Sequence, residues 1–256
     1  MQTDILNVRG VHFGAGKPKI CVPIVERNRE TILSFAEKAL DKKPDLLELR
    51  VDWFEGLYNI EAVISLLKDL REIIADTVLL FTIRTSNEGG EADINVSDYK
   101  LICERACGSG YIDLLDVEAF MEEGLLDDIC EMAHQNNVYV VASNHDFEKT
   151  PEKQEIVRRL QYMDEHGADI PKIAVMPTKE RDVLALLSAT LQYKEECGMK
   201  PVITMSMGKL GVLSRMSGEV FGSAVTFATA GQASAPGQIG IEEMKNILDV
   251  LHLDRQ

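Results

Sequence analysis

Short apolar segments alternate with amphipathic segments along the whole chain of 256 residues. The apolar segments predict eight strands, at 19–25, 45–54, 78–85, 111–119, 138–146, 170–177, 201–208 and 223–230. The segments between them have apolar residues at helical spacing, as in TILSFAEKAL, IEAVISLLKDLREII and LLDDICEMAHQ. The helical pattern EKQEIVRRLQYMDEHG (152–167) closes on Gly167, and the helix predicted at 209–218 is short and interrupted by glycine. Nearly continuous apolar strands that alternate with helices are typical of a parallel sheet covered by helices.

The number and spacing of these units favour a closed barrel over an open sheet. Eight strand–helix units give about 32 residues each, the usual length of a parallel βαβ step. A doubly wound sheet usually has glycines directly after its first strand, whereas here PIVERNRE follows. GAGK at 14–17 precedes the first strand and is followed by Pro18, so it is not a phosphate loop. We predict one domain over 1–256, a (β/α)8 barrel in which a hairpin within 1–18 closes the bottom.

Charge and cysteine content narrow the classes of function. The chain has 27 Lys and Arg against 42 Asp and Glu, a net charge of −15, which argues against binding to nucleic acid or an anionic membrane. Any anionic substrate therefore needs a local group of arginines. We find no signal-peptide pattern and no apolar run long enough to span a membrane, so we expect a soluble, cytoplasmic protein. The five cysteines are odd in number and form no C-x-x-C pair, so we expect them to serve packing.

Polar side chains inside the predicted strands need an explanation, because barrel interiors are apolar and active sites lie at the C-terminal strand ends. The polar positions are Glu48, Arg50, Asp52, Arg84, Glu88, Ser143, His145 and Lys172. Glu48 and Arg50 share a strand face, so a structural ion pair is one alternative. A structural role is also the simpler interpretation of Asp52. Met205 and Met207 share a face of the seventh strand and in isolation indicate only core packing.

Lys172 is harder to explain as a structural residue. It lies within the apolar segment 170–175, and lysines are almost never fully buried without a partner. Burial and nearby arginines both disfavour the charged ammonium and would leave a nucleophilic amine. His145 lies on the neighbouring predicted strand. A nucleophilic lysine beside a histidine suits Schiff-base chemistry on a ketone, in which the histidine removes an adjacent proton.

Six stretches along nearly the whole chain resemble type I 3-dehydroquinate dehydratases, in the order that the family has them. They are ELRVD (48–52), FTIRTSNEGG (81–90), SNHDF (143–147), PKIAVMP (171–177), MSMGKLGVLSR (205–215) and ASAPGQI (233–239). The resemblance implies a homodimeric enzyme of the shikimate pathway that dehydrates 3-dehydroquinate to 3-dehydroshikimate without metal or other cofactor. One departure is Pro23, because many members have a serine near this position; the hydrogen bond of a hydroxyl would then be absent.

The resemblance also implies roles for particular residues. Lys172 would form the imine with the substrate ketone, and His145 would take the C2 proton and later protonate the departing C1 hydroxyl. Glu88 would orient His145, and Arg215 would hold the substrate carboxylate through its planar fork. The other residues expected to bind the ring hydroxyls or to shape the pocket are Glu48, Arg50, Arg84, Ser234, Gln238, Met205 and Met207. We interpret the loop TAGQASAPGQIG (229–240) as a lid over the substrate.

Two alternatives stay open from the sequence. The first is another Schiff-base barrel enzyme, such as a class I aldolase or a transaldolase. Those enzymes need a phosphate site, which the glycines of the eighth-strand loop together with Arg215 could form. The second is a non-catalytic barrel that binds a small acid or a partner protein, which requires the lysine, the histidine, Glu88 and Arg215 to occur together by chance.

Overall fold

The computed structural model describes residues 4–198, 200–231 and 235–253. The strands are β1 (Leu6–Val8), β2 (Val11–Phe13), β3 (Lys19–Ile24), β4 (Leu46–Arg50), β5 (Val78–Thr82), β6 (Leu114–Glu118), β7 (Tyr139–Asp146), β8 (Ile170–Val175), β9 (Ile203–Ser206), β10 (Val225–Thr229) and β11 (Ile239–Gly240). The helices are α1 (Arg29–Leu40), α2 (Ile60–Ile74), α3 (Val96–Gly108), α4 (Leu125–Gln135), α5 (Lys153–Glu165), α6 (Glu180–Gln192), α7 (Val212–Met216), α8 (Gly218–Phe221) and α9 (Ile241–Val250).

The eight strands predicted from the sequence are β3 to β10, and they form one curled parallel sheet. Its order is β11-β10-β3-β4-β5-β6-β7-β8-β9. A parallel bridge between Val202 and Ser223 joins β9 to β10, and the Ala224 N–H donates to the Val202 carbonyl at 2.7 Å. This bridge brings the two ends of the curled sheet together, so the predicted barrel is confirmed.

The segment predicted as the second strand is shorter than expected. We predicted 45–54, but β4 ends at Arg50, and Val51–Trp53 forms a 3-10 turn. The turn brings the Asp52 carboxylate back onto the Arg50 guanidinium, with Nε–Oδ1 and Nη2–Oδ2 distances of 2.8 Å each. Asp52 is therefore not on the strand face that carries Glu48. Simple alternation missed this because it assumes that the strand continues.

The N-terminal hairpin covers the end of the barrel where the strands begin. Its two strands, β1 and β2, pair antiparallel, and both turn residues, Arg9 and Gly10, have positive φ as a tight hairpin requires. Val8 and Phe13 are buried in the apolar cluster of the barrel interior. The Arg9 Nε donates to Asp113 Oδ1 at 2.6 Å, directly before β6. The hairpin thus closes the bottom of the barrel, as predicted.

The helices pack on the outside of the sheet through one apolar face each. In α2 the buried residues recur at helical spacing, at Val63, Leu66, Leu67, Leu70 and Ile74. The predicted closing glycine of α5 has φ +92, which only glycine adopts without strain. The segment 209–218, predicted as one short helix, contains α7 and the first residue of α8. No helix in the described ranges is long and apolar enough to cross a membrane.

Candidate active site

A cavity opens at the C-terminal ends of the barrel strands. Its lining includes ten of the eleven residues that the sequence predicts for the site: Glu48, Arg50, Arg84, Glu88, His145, Lys172, Met205, Met207, Arg215 and Gln238. The eleventh, Ser234, lies outside the described residues. Gly89, Phe147, Ala174, Phe227 and Ala235 complete the lining. Residues from at least five strands converge here because interior side chains alternate along each parallel strand.

Lys172 lies in the middle of β8 and is only 3% exposed. Its Nζ donates to Asp116 Oδ2 at 2.8 Å and lies 4.0 Å from Glu48 Oε1. It also lies 4.9 Å from the centre of the Phe227 ring. The charged groups that contact this amine are carboxylates, and Arg84 lies beyond Asp116, bonded to the other oxygen of the same carboxylate.

Asp116 is completely buried on β6 and was missed from the sequence. Its Oδ1 accepts hydrogen bonds from Arg84 Nη2 at 2.5 Å and from Ser143 Oγ at 2.6 Å, while Oδ2 accepts from Lys172. Burial by itself would raise the pKa of Asp116, but Arg84 and Lys172 outweigh it and hold that pKa well below its usual range. Asp116 therefore stays ionised beside the lysine.

The Arg84 guanidinium is surrounded by carboxylates and donates hydrogen bonds to them. Its Nη1 donates to Glu118 Oε1 at 3.1 Å and to Ser143 Oγ at 2.9 Å, and its Nη2 donates to Asp116. Glu118 also accepts from the backbone N–H and the hydroxyl of Thr85. Asp116 and Glu118 alternate with apolar residues in β6, so the period-two rule applied to β4 would have found both of them.

His145 at the end of β7 is fixed by Glu88. The Glu88 Oε2 lies 2.9 Å from His145 Nδ1 and accepts the His145 backbone N–H at 2.9 Å. Burial, with Arg84 and Lys172 nearby, lowers the pKa of His145 well below its usual value, so the imidazole is neutral. With Glu88 ionised, Nδ1 carries the proton and the Nε2 lone pair is left to accept one.

Glu88 reaches His145 because the chain turns sharply after β5. A 3-10 turn, Ser86–Glu88, ends at Gly89 with φ +78, and the Phe147 ring lies where a β-carbon at Gly89 would be. Burial raises the pKa of Glu88 to about 7, although Arg84, with Nη1 3.4 Å from Oε2, opposes the rise. Glu88 is thus close to changing its charge near neutral pH.

Glu48 and Arg50 do not form the structural ion pair that we considered. Arg50 donates hydrogen bonds to both carboxylate oxygens of Asp52. Asp52 also accepts the Glu91 N–H, so it has the structural role expected of it. Glu48 instead accepts from Thr82 Oγ1 at 2.9 Å. Both Glu48 and Arg50 line the cavity, and each is held by a neighbour rather than by the other.

Arg215 on α7 is buried without an acidic partner in the described ranges. Its Nη2 donates to the Pro236 carbonyl at 3.0 Å, Nη1 lies 3.8 Å from Met205 Sδ, and Nε has no acceptor there. Burial lowers the pKa of Arg215 to about 10, so it is still charged at neutral pH. A buried cation that lacks a carboxylate is suited to an anion that enters the cavity.

Neither a metal site nor a disulfide is found among the described residues. No group of three His, Cys, Asp or Glu side chains in these ranges is placed to hold a metal ion. The five cysteines are free thiols, and four of them are buried, as packing residues are.

Comparisons with known proteins cover almost the whole chain. The family described as Type I 3-dehydroquinase matches residues 20–255. The chain is 47% identical to the 3-dehydroquinate dehydratase of Clostridioides difficile and 46% identical to that of Bacillus subtilis, covering at least 96% of this chain and of each relative. A crystal structure of the Clostridium difficile type I enzyme with covalently modified comenic acid matches with a TM-score of 0.94 and 46% identity over 97% of this chain and 98% of that one. A Vibrio cholerae 3-keto-L-gulonate-6-phosphate decarboxylase, at 13% identity and a TM-score of 0.57, shares the fold alone.

Proposed function

Because the chain belongs to the type I 3-dehydroquinase family, we propose that it is a hydro-lyase that dehydrates 3-dehydroquinate to 3-dehydroshikimate through an imine on Lys172. One observation supports this most strongly. A single cavity holds a buried lysine, a neutral histidine fixed by a carboxylate, and a buried arginine with no acidic partner in the described ranges. A keto acid that must lose a proton and a hydroxyl needs these three groups.

Lys172 supplies the electron sink. Lys172 releases one proton and its amine attacks the substrate ketone carbon; the ketone oxygen then leaves as water with that proton and a second one from the nitrogen, which leaves a protonated imine at Nζ. Asp116 stays ionised and bonds to the same nitrogen, so it balances the positive charge of the imine as it balances that of the ammonium. The positive nitrogen then accepts the electron pair that is released when the adjacent carbon loses its proton.

His145 moves the proton. Its Nε2 removes the C2 proton, and the electron pair flows into the imine nitrogen to give an enamine. The enamine then expels the C1 hydroxyl, which takes the proton from His145 and leaves as water. Hydrolysis of the imine consumes the water released at its formation, and Lys172 is restored. The net change is the loss of one water from the substrate.

The remaining cavity residues bind and orient the ring. Arg215 holds the substrate carboxylate, since it has no competing carboxylate in the described ranges. Glu48, Arg50 and Gln238 contact the hydroxyls, together with Ser234, and Met205 and Met207 line the apolar side. Arg84 differs from our expectation: its donors are engaged by Asp116, Glu118 and Ser143, so we propose that it positions carboxylates rather than substrate.

An assay of substrate preference tests the proposed activity. The purified protein, offered 3-dehydroquinate, should produce the ultraviolet absorbance of the conjugated product, and Arg215→Met should raise KM strongly. Sugar phosphates should not be cleaved. Cleavage of a sugar phosphate without dehydration would instead identify an aldolase, and binding of 3-dehydroquinate without turnover would identify a non-catalytic barrel.

Four further properties are part of the same proposal; the first and third rest on the family resemblance, and the second and fourth rest on the sequence pattern. We propose a role in the shikimate pathway, a cytoplasmic location, a homodimer, and a single domain that unfolds in one step. Sedimentation measures the dimer, and calorimetry measures the single transition. We also propose that no metal takes part, so activity should survive exhaustive chelation; loss that zinc or magnesium restores would contradict this.

A further inference from the structure

A chain of hydrogen bonds runs from the outer helix α5 to His145. On α5, Glu155 Oε1 accepts from Arg159 Nε at 2.7 Å. Arg159 Nη1 then donates to Asn144 Oδ1 at 2.8 Å, and Asn144 Nδ2 donates to Glu88 Oε1 at 2.9 Å. The other oxygen of Glu88 bonds to His145 Nδ1 at 2.9 Å. Every link has the length of a good hydrogen bond.

Arg159 decides which way the Asn144 amide faces. An asparagine amide has an acceptor oxygen and a donor nitrogen, and a guanidinium has only donors. The amide oxygen must therefore face Arg159, which leaves the amide nitrogen for Glu88. Without Arg159 the amide is free to turn over and to present its oxygen to the Glu88 carboxylate, where two acceptors repel each other.

We propose that Asn144 and Arg159 are positioning residues that keep Glu88 ionised and thereby hold His145 in the tautomer that can accept a proton. This inference rests on the role proposed above for His145. Neither residue lines the cavity, so each acts only through Glu88.

The charges around Glu88 make its ionisation sensitive to this contact. Arg84 from the end of β5 favours the carboxylate, and the Asn144 hydrogen bond does the same. Glu118 and Asp116 on β6 oppose it, as burial does. Around His145, Arg84, Lys172 and Arg50 disfavour the imidazolium and Asp116 favours it. Removal of the Asn144 donor therefore tips Glu88 toward its protonated form.

A protonated Glu88 changes what His145 can do. It donates its proton to Nδ1 instead of accepting one, so the imidazole carries its own proton on Nε2. That tautomer has no lone pair directed at the substrate proton. The active form of the enzyme then exists only above the pH at which Glu88 ionises, and the acid limb of kcat moves to higher pH.

Two neighbouring arginines on α5 provide a matched pair of variants. Arg158 and Arg159 both bond to Glu155, but only Arg159 reaches Asn144. We expect Arg159→Met and Asn144→Ala to move the acid limb of kcat upward by about one pH unit, so that kcat falls about tenfold on the acid side and recovers at high pH. KM and trapping of the imine by borohydride should change little. Arg158→Met should leave the profile unchanged, and Arg159→Lys should restore part of it.

Other results would overturn the inference. If Arg159→Met and Arg158→Met have the same pH profile, Arg159 does not act on Glu88. A fall in kcat that is equal at every pH, together with a lower melting temperature, would show that Arg159 has a merely structural role. Arg159→Lys distinguishes this role from the proposed one, because it should restore part of the pH profile only if Arg159 acts on Glu88. If the protein that carries only His145→Ala turns over substrate at the normal rate, the proposed function itself fails.

Discussion

The two ends of the barrel interior are built from the same strands and differ in chemistry. Near the bottom, the inward-facing residues are apolar: Cys21, Leu46, Val78, Leu114, Val141, Ile170, Ile203 and Val225. The next inward-facing positions along these strands, one or two steps further on, are polar or charged in all but one case. They are Glu48, Thr82, Asp116, Ser143, Lys172 and Met205. A step of two residues along a strand, from Leu114 to Asp116 or from Ile170 to Lys172, changes a packing position into a charged one.

The difference shows where the molecule gains stability and where it accepts a cost. Burial of an apolar side chain at the bottom stabilises the fold by roughly 1.5–3 kcal/mol. Burial of a charge is costly unless the charge is paired and hydrogen-bonded. At the upper end nearly every charge is paired, as Asp116 is with Arg84 and Lys172. Arg215, which has no acidic partner in the described ranges, marks the place that we assign to the substrate carboxylate.

Truncation of His145 should have the largest effect on catalysis. His145→Ala removes the proposed base but leaves Lys172 and its contacts, so we expect kcat to fall by ~10²–10⁴-fold. Imine trapping with substrate and borohydride should persist. Steady-state kinetics and mass spectrometry check the two parts separately. Complete loss of trapping would show that His145 acts before proton abstraction.

A substitution at the bottom should have the opposite pattern. Leu114→Ala leaves a cavity in the apolar cluster, so the free energy of unfolding should fall by about 2–5 kcal/mol. The folded protein should keep its kcat and KM, because the residue lies below the charged layer. Denaturant unfolding and kinetics at low temperature measure both effects. A large loss of kcat in fully folded protein would break the distinction between the two ends.

Asp116→Asn, two residues along the same strand, sharpens the comparison. The amide keeps the shape but removes the charge that balances the nitrogen, so we expect kcat to fall about 10²-fold. Trapping of the imine should persist, because Lys172 itself is unchanged. Unchanged kcat would remove Asp116 from the mechanism.

The loop after β10 should give the smallest effect. Gln238 lines the cavity, and Gln238→Ala removes its proposed contact to the ring, so KM should rise about fivefold with little change in trapping. If 229–240 is a lid, its position should differ between structures with and without ligand. If the loop has the same position in both structures and lies away from the cavity, the lid hypothesis is wrong. The proposed roles of Ser234 and Gln238 would then be wrong too, but the role of Lys172 would not be affected.

The barrel and the polar positions inside its strands could be predicted because both follow from local periodicity, whereas Arg215, Ser234 and Gln238 came only from the family resemblance. Strand spacing gave the fold, and alternation identified His145 and Lys172 on neighbouring strands. The pairing of the charged groups could not be predicted in this way. Arg50 turned out to hold Asp52 because a 3-10 turn follows β4, which alternation does not foresee. Lys172 turned out to face Asp116 on another strand, and that pairing depends on how deep each residue lies in the barrel. Asn144 was missed because it bonds to Glu88 from outside the cavity.

Mass spectrometry after borohydride reduction with 3-dehydroquinate tests the central claim most directly. We predict one modified tryptic peptide, the one that contains Lys172, and none in Lys172→Ala. Lys200→Met is a matched control, because Lys200 also pairs with an aspartate at 2.8 Å but lies outside the cavity; it should be labelled like the parent protein. Labelling that survives Lys172→Ala, or no labelling of the parent protein, would contradict the account.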